Sequence, residues 1–197
     1  PQTGRYAGAG AHRGGDLRPI GAQGNPPGLR PHIRTSAPHR MDVERRRSDL
    51  DGGYSDRELL ARLIECEAGG EGDNGMRAVA SVIMNRVRNP GGEYERIGQG
   101  SLRNIVYQKG QFACAQEIRN GVYNPQNIYN MNPNEIHYDI ADWAIAGGRL
   151  NGLGQALWFF NPFSAVCRGN FPSRVGEFAV RIGDHCFYNP TDAYYET

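Results

Sequence analysis

From about residue 54 onward, apolar side chains fall into regular helical and extended registers. Leu59, Leu60, Leu63 and Ile64 recur at helical spacing. Ahead of them, Ser55-Asp56-Arg57-Glu58 reads as a capping box, with Ser at the N-cap and Glu at N3. Gly69-Gly70 ends that helix. A second helix is predicted to start near Asp73 or Asn74 and to bury Met76, Val79, Ala80, Val82, Ile83 and Val87. It stops before Pro90, which disfavours helix at Asn89. Residues 91–101 read as a Gly-rich loop, Leu102–Val106 as a short apolar segment and Phe112–Ala115 as a short strand. Asn120–Asn134, rich in Asn and broken by Pro, reads as loop. Glu135–Gly147 carries Ile136, Ile140, Trp143, Ala144 and Ile145 and is predicted as a third helix. Ala156–Phe160 is an apolar-aromatic run in a strand or buried turn, and Gly176–Tyr188 is an extended closing segment. There is no internal repeat.

Composition explains why the pattern begins so late. The first forty residues hold six Arg and one Asp, eight Gly, six Pro and three of the five His, and no Phe, Trp, Cys or Met. Such a segment buries too little apolar surface to offset its ordering entropy. Residues 1–53 are therefore expected to be a disordered basic Gly/Pro/Arg-rich tail and linker, and residues 54–197 the folded domain. The basic stretch lacks the apolar core of a secretory signal, so none is expected in the chain as given. Met41 opens a plausible start of its own. The net charge of +1 hides a division. The first forty residues carry +5; the rest hold 16 basic and 20 acidic groups, a net of −4. No strongly basic nucleic-acid binder and no membrane-spanning stretch is expected. Four cysteines, Cys66, Cys114, Cys167 and Cys186, form no C-x-x-C pair, and without a signal peptide they are expected as free, buried thiols.

The chemistry concentrates on the first helix. Glu58, Arg62 and Glu65 share its polar face and form a solvated ion-pair surface. Glu67 lies seven residues after Leu60, four after Leu63 and three after Ile64, so it projects from the apolar stripe. A carboxylate there loses hydration and its pKa rises. A Glu protonated near neutral pH is equipped to donate a proton to a leaving-group oxygen. The alternative for Glu67 is a structural carboxylate bonded to backbone donors or an Arg. Glu71, beyond the two glycines, is either a second carboxylate or a group that caps the next helix or orients the site.

Several blocks carry a resemblance. LARLIECEAGGEGDNGMRAVASVIMNRVRNP at Leu60–Pro90, YQKGQFACA at Tyr107–Ala115, ALWFFNP at Ala156–Pro162 and IGDHCFYNPT at Ile182–Thr191 are similar to the SleB/CwlJ family of cell-wall hydrolases, the spore cortex-lytic enzymes. The HCFYNPT ending most resembles the CwlJ branch. The resemblance implies an α+β, mainly helical, lysozyme-like (lytic transglycosylase-like) single domain with a small β element. It implies cleavage of peptidoglycan glycan strands during germination. The catalytic acid of the E-A-x-G-E block falls on Glu67, the residue that helical geometry selects independently. In SleB-type enzymes one Glu serves as acid and then as base in lytic transglycosylation, leaving 1,6-anhydro-muramic ends. The alternative is a hydrolytic muramidase or glucosaminidase with a second carboxylate, for which Glu71 is the nearest.

Within the matched blocks, Gln111, Phe112, Trp158, Phe160, Asn161 and His185 stand as substrate-binding residues, each weighed against a structural role. His137 with Asp139 and Asp142 is not read as a metal site, because His137 and Asp139 lie on different helix faces. Two rival classes stay open. One is a peptidoglycan peptidase pairing Cys114 or Cys186 with His185; the other is a non-catalytic wall-binding module. The resemblance implies no cofactor for the chemistry, activation by calcium-dipicolinate, a spore-coat docking protein as partner, and a location at the spore coat and cortex boundary.

Overall fold

Ser55 caps the first helix: its hydroxyl accepts the Glu58 amide at 3.2 Å. The Glu58 carboxylate takes Arg62 Nη2 at 2.8 Å, so the capping box forms by half. The computed structural model describes residues 53–197. The expected disordered tail of residues 1–53 lies outside the described residues, except for Gly53. Among the described residues four helices come first: α1 (Asp56–Ala68), α2 (Gly72–Val87), α3 (Gly92–Gly98) and α4 (Leu102–Tyr107). A small hairpin follows, β1 (Ile118–Arg119) and β2 (Val122–Tyr123), and then α5 (Glu135–Ile145). The chain closes with β3 (Trp158–Phe160), β4 (Gly176–Ile182) and β5 (His185–Pro190) in an antiparallel sheet of order β3-β5-β4.

Burial follows the sequence periodicity. Leu59, Leu60, Leu63 and Ile64 of α1 are fully buried, with Val79, Val82 and Ile83 of α2 and Ile140 of α5. α1 lies against α5 and α2, and α2 also reaches β3 and β4. Buried polar groups join these layers. Asn85 Nδ2 donates to the Ala156 carbonyl at 3.1 Å and Arg86 Nε to the Leu157 carbonyl at 2.7 Å, fixing the approach to β3 onto α2. Arg88 Nη2 donates to the Ala144 and Ile145 carbonyls, both at 2.8 Å, satisfying the C-terminal end of α5.

The structure departs from the sequence reading in four places. Residues 91–101 contain α3 rather than only loop, and it ends where Gln99 takes the left-handed conformation at φ 48°. Leu102–Tyr107 is helical, capped by Ser101. Phe112–Ala115 is a short 3₁₀ turn at Ala113–Ala115, not a strand. The Asn120–Asn134 loop begins inside a hairpin: Asn120 and Gly121 have φ of 51° and 80°, the pair of left-handed residues that a tight two-residue turn requires.

Candidate active site

Glu67 sits in the last turn of α1, one residue before its end. Its side chain reaches the surface only in part, and its Oε1 is shut off from solvent with no hydrogen-bond partner. Burial raises its pKa from 4.5 to about 7. A hydrogen bond from the Cys114 backbone and the charges of Arg86 and Arg119 pull the other way but do not cancel the effect. The carboxyl is therefore close to half-protonated at neutral pH, as the stripe position predicts. A carboxyl oxygen sealed from solvent and left without a partner suits a group that hands over a proton and receives one back.

The donor segment is fastened to the helix covalently. Cys66, beside Glu67, forms a disulfide with Cys114, with the Cα atoms 6.2 Å apart. A second disulfide joins Cys167 to Cys186 at 5.8 Å. The expectation of free thiols is corrected: among the described residues there is no free cysteine. Chain termini and compartment are poor guides to pairing, which only the tertiary approach of α1 to the 113–115 turn decides. The correction removes the cysteine-hydrolase reading too, since neither Cys114 nor Cys186 offers a thiolate to His185.

Arg86 escaped the sequence reading. It is buried in α2, and its Nη1 has no partner. Its guanidinium carbon lies 5.0 Å from the ring centres of both Tyr94 and Phe112. The same rule that selected Glu67 would have found it: Arg86 lies seven after Val79 and three after Ile83, on the apolar stripe of its helix. Burial pulls its pKa down while Tyr94 and Glu67 push it up, and an arginine in such a place stays charged. Its charge acts on the Glu67 carboxyl.

Glu71 occupies the N-cap position of α2 but makes no capping bond. Instead its Oε2 accepts the Asp184 amide at 2.7 Å, and its Oε1 lies 3.5 Å from His185 Nδ1. That second contact lacks hydrogen-bond geometry and pairs two charges only when the imidazole is protonated. Two glycines leave room for the carboxylate: a Cβ on Gly183, at φ +58°, would meet Glu71 Oε2, and one on Gly75 would meet its Cβ. Capping by Glu71 is withdrawn, since no capping bond forms; the residue ties the β4–β5 turn to the start of α2. Burial draws the His185 pKa down, against the opposing charge of Glu71.

A family model described as Cell Wall Hydrolase matches residues 70–188. The chain belongs to this family. Relatives include the cell wall hydrolase CwlJ of Oceanobacillus iheyensis, 33% identical over 139 residues, 69% of this chain and 87% of that protein. The cell wall hydrolase CwlJ of Bacillus subtilis is 30% identical over 139 residues, 70% and 87% of the two chains. Among solved structures, the catalytic domain of the germination-specific lytic transglycosylase SleB from Bacillus anthracis superimposes with a TM-score of 0.51 at 27% identity, covering 70% of this chain and 98% of that one. The protein is thus an α+β enzyme of the cell-wall hydrolases, with the lysozyme-like arrangement that the resemblance implied. The family match begins three residues after Glu67, so the case for that residue rests on its geometry.

The other predicted site residues of this cell-wall hydrolase divide. Gln111 Oε1 accepts the Tyr94 hydroxyl at 3.0 Å, which spends it within the fold. Phe112 and Trp158 are 3% and 8% exposed, and Trp158 packs edge-on against Tyr194 at 5.3 Å; neither leaves a ring face for a sugar. Phe160 is half-buried and packs, tilted, with its ring centre 4.4 Å from that of Phe171. Asn161 Oδ1 accepts the Phe163 amide at 2.7 Å, holding a turn. His185 meets Phe159 edge-to-face at 5.4 Å. His137 Nδ1 accepts the Asn134 amide at 3.1 Å, completing a cap for α5. Among the described residues no group of three His, Cys, Asp or Glu is placed to hold a metal. No helix among them is long and apolar enough to cross a membrane.

Proposed function

We propose that this chain cleaves the glycan strands of peptidoglycan as a lytic transglycosylase, with Glu67 as general acid and then general base, in spore cortex lysis. The observation that carries the reading is the desolvated Glu67 carboxyl, with its pKa near 7 and one oxygen unpartnered. Protonated Glu67 gives its proton to the glycosidic oxygen as the C1–O bond breaks. The muramic acid 6-hydroxyl then bonds to C1, and its proton returns to the Glu67 carboxylate. The enzyme is regenerated, no water is consumed, and the product ends in a 1,6-anhydro sugar.

The engagement of Glu71 favours this over two-carboxylate hydrolysis. A hydrolytic second carboxylate must face the bond or a water across it, whereas Glu71 is committed to Asp184 and sits beside His185. The cortex and germination assignment draws on a Bacillus subtilis relative described as a spore cortex-lytic enzyme and on the SleB neighbour, whose description names it as germination-specific.

Mass spectrometry of muropeptides released from purified cortex tests the proposal. Anhydro-muramic ends are expected from the native chain, and reducing ends would turn the reading to hydrolysis. Glu67→Gln is expected to abolish release. Glu71→Gln, which keeps an acceptor for the Asp184 amide, is expected to retain more than about a tenth of the activity and the same product ends.

A further inference from the structure

The β1–β2 hairpin stands beside Glu67 and does nothing for the core. All four of its strand residues are exposed, Val122 by 69% and Tyr123 by 53%. A two-stranded ribbon this short is not stable alone, so what holds it matters. Its base is pinned from several sides. The Asn124 amide donates to the Glu117 carbonyl at 2.7 Å. Asn124 Nδ2 reaches the carbonyls of Ala113, Gln116 and Gln126 at 3.1, 2.9 and 2.9 Å. Gln126 Nε2 donates to the Cys66 carbonyl at 3.2 Å, and the Ile128 amide donates to the Cys114 carbonyl at 2.9 Å. The hairpin is therefore rooted in the disulfide-linked segment that is fastened beside Glu67.

Register separates its two faces. Ile118 pairs with Tyr123, and Arg119 with Val122; each cross-strand pair shares a face. The first face leans back on the protein, since Asn130 Nδ2 donates to the Tyr123 hydroxyl at 2.7 Å. The second presents a cation and an aliphatic group. Arg119 lies close enough to act on the Glu67 charge, and among the described residues no carboxylate pairs with its guanidinium. A bare cation and an exposed valine on a fixed ribbon next to the proton donor call for an anionic, partly apolar ligand. Peptidoglycan has such a part: the peptide stems on its muramic acids carry carboxylates and alanyl methyls.

We propose that the Arg119–Val122 face of the hairpin is a subsite for the peptide stem of peptidoglycan, with Arg119 taking a stem carboxylate and Val122 covering an apolar stem group. This rests on the reading of the chain as a peptidoglycan-cleaving enzyme. It makes the stem, and not only the sugar, part of what the enzyme recognises.

The test is equilibrium binding of the full chain carrying Glu67→Gln to two polymers: glycan strands with intact stems and strands stripped of stems by an amidase. Arg119→Gln added to that background should weaken binding to stem-bearing strands roughly tenfold, as loss of one charge-assisted contact does. It should leave binding to stripped strands within about twofold. Arg119→Lys should recover part of the loss. Ile118→Thr, on the opposite face, should change neither, and thermal melts confirm that each variant folds. An equal loss on both polymers, or none on the stem-bearing one, overturns the subsite. Cleavage persisting in the Glu67→Gln chain overturns the general-acid reading instead, and the binding comparison still decides the subsite.

Discussion

Glu67 is held in a protonation state that suits chemistry and works against the fold. Its pKa of about 7 exceeds the 4.5 of an unfolded chain, so the unfolded state ionises first as pH rises. The penalty is absent below about pH 4.5, grows between the two values, and is complete above about pH 7, where it reaches ~3 kcal/mol. Glu67→Gln should therefore raise the melting temperature at pH 8 by several degrees, and by nothing measurable at pH 4. Parallel melts of the two proteins across pH check this, and an equal difference at both pH values would contradict it. Activity should show the mirror image. In the proposed mechanism the acid form is the working one, so kcat/KM of the native enzyme should fall along an alkaline limb with an apparent pKa near 7.

At the scale of elements, two disulfides do different work. Cys66–Cys114 joins α1 to the turn that hydrogen-bonds Glu67; Cys167–Cys186 joins the loop after β3 to β5. Removing the first with Cys66→Ala and Cys114→Ala should cost about 3–4 kcal/mol, given the 48-residue separation it closes. It should also move the alkaline limb upward, because the Cys114 bond that favours ionised Glu67 loosens. Removing the second, which spans 19 residues, should cost somewhat less and leave the limb in place. Denaturant melts and pH–rate profiles of the two double variants separate these outcomes. The same elements show what the sequence made legible. α1, α2 and α5 were readable because their apolar residues keep a 3.6-residue period, and Glu67 was readable because it interrupts that period. Arg86 obeys the same logic and was passed over. The hairpin was not legible from patterning, because two-residue strands exposed on both faces leave no alternation; Asn120-Gly121 alone announced it. α3 hid behind its flanking glycines. Disulfide pairing and the clamp from Glu71 to Asp184 lie across separations that no local pattern encodes.

For the whole molecule, charge is divided sharply along the chain. Residues 1–40 carry a net of +5, and the remaining chain, with 16 basic and 20 acidic groups, carries −4. The core runs from Leu59 to Tyr194, and the groups that set the Glu67 pKa, Arg86, Cys114 and Arg119, all lie within that span. The chemistry should thus be independent of the basic segment, while attraction to a polyanionic wall should not be. A chain starting at Met41 is expected to keep the melting temperature and the kcat of the full chain, and to bind stem-bearing peptidoglycan more weakly at low ionic strength. The difference should shrink near ~0.15 M salt, where the screening length falls to about 8 Å. Cosedimentation with peptidoglycan over a salt series, alongside turnover of soluble strands, measures both. A lower kcat in the shorter chain would mean that the basic segment reaches the active site, and a salt-independent loss of binding would mean that it recognises the wall by more than charge.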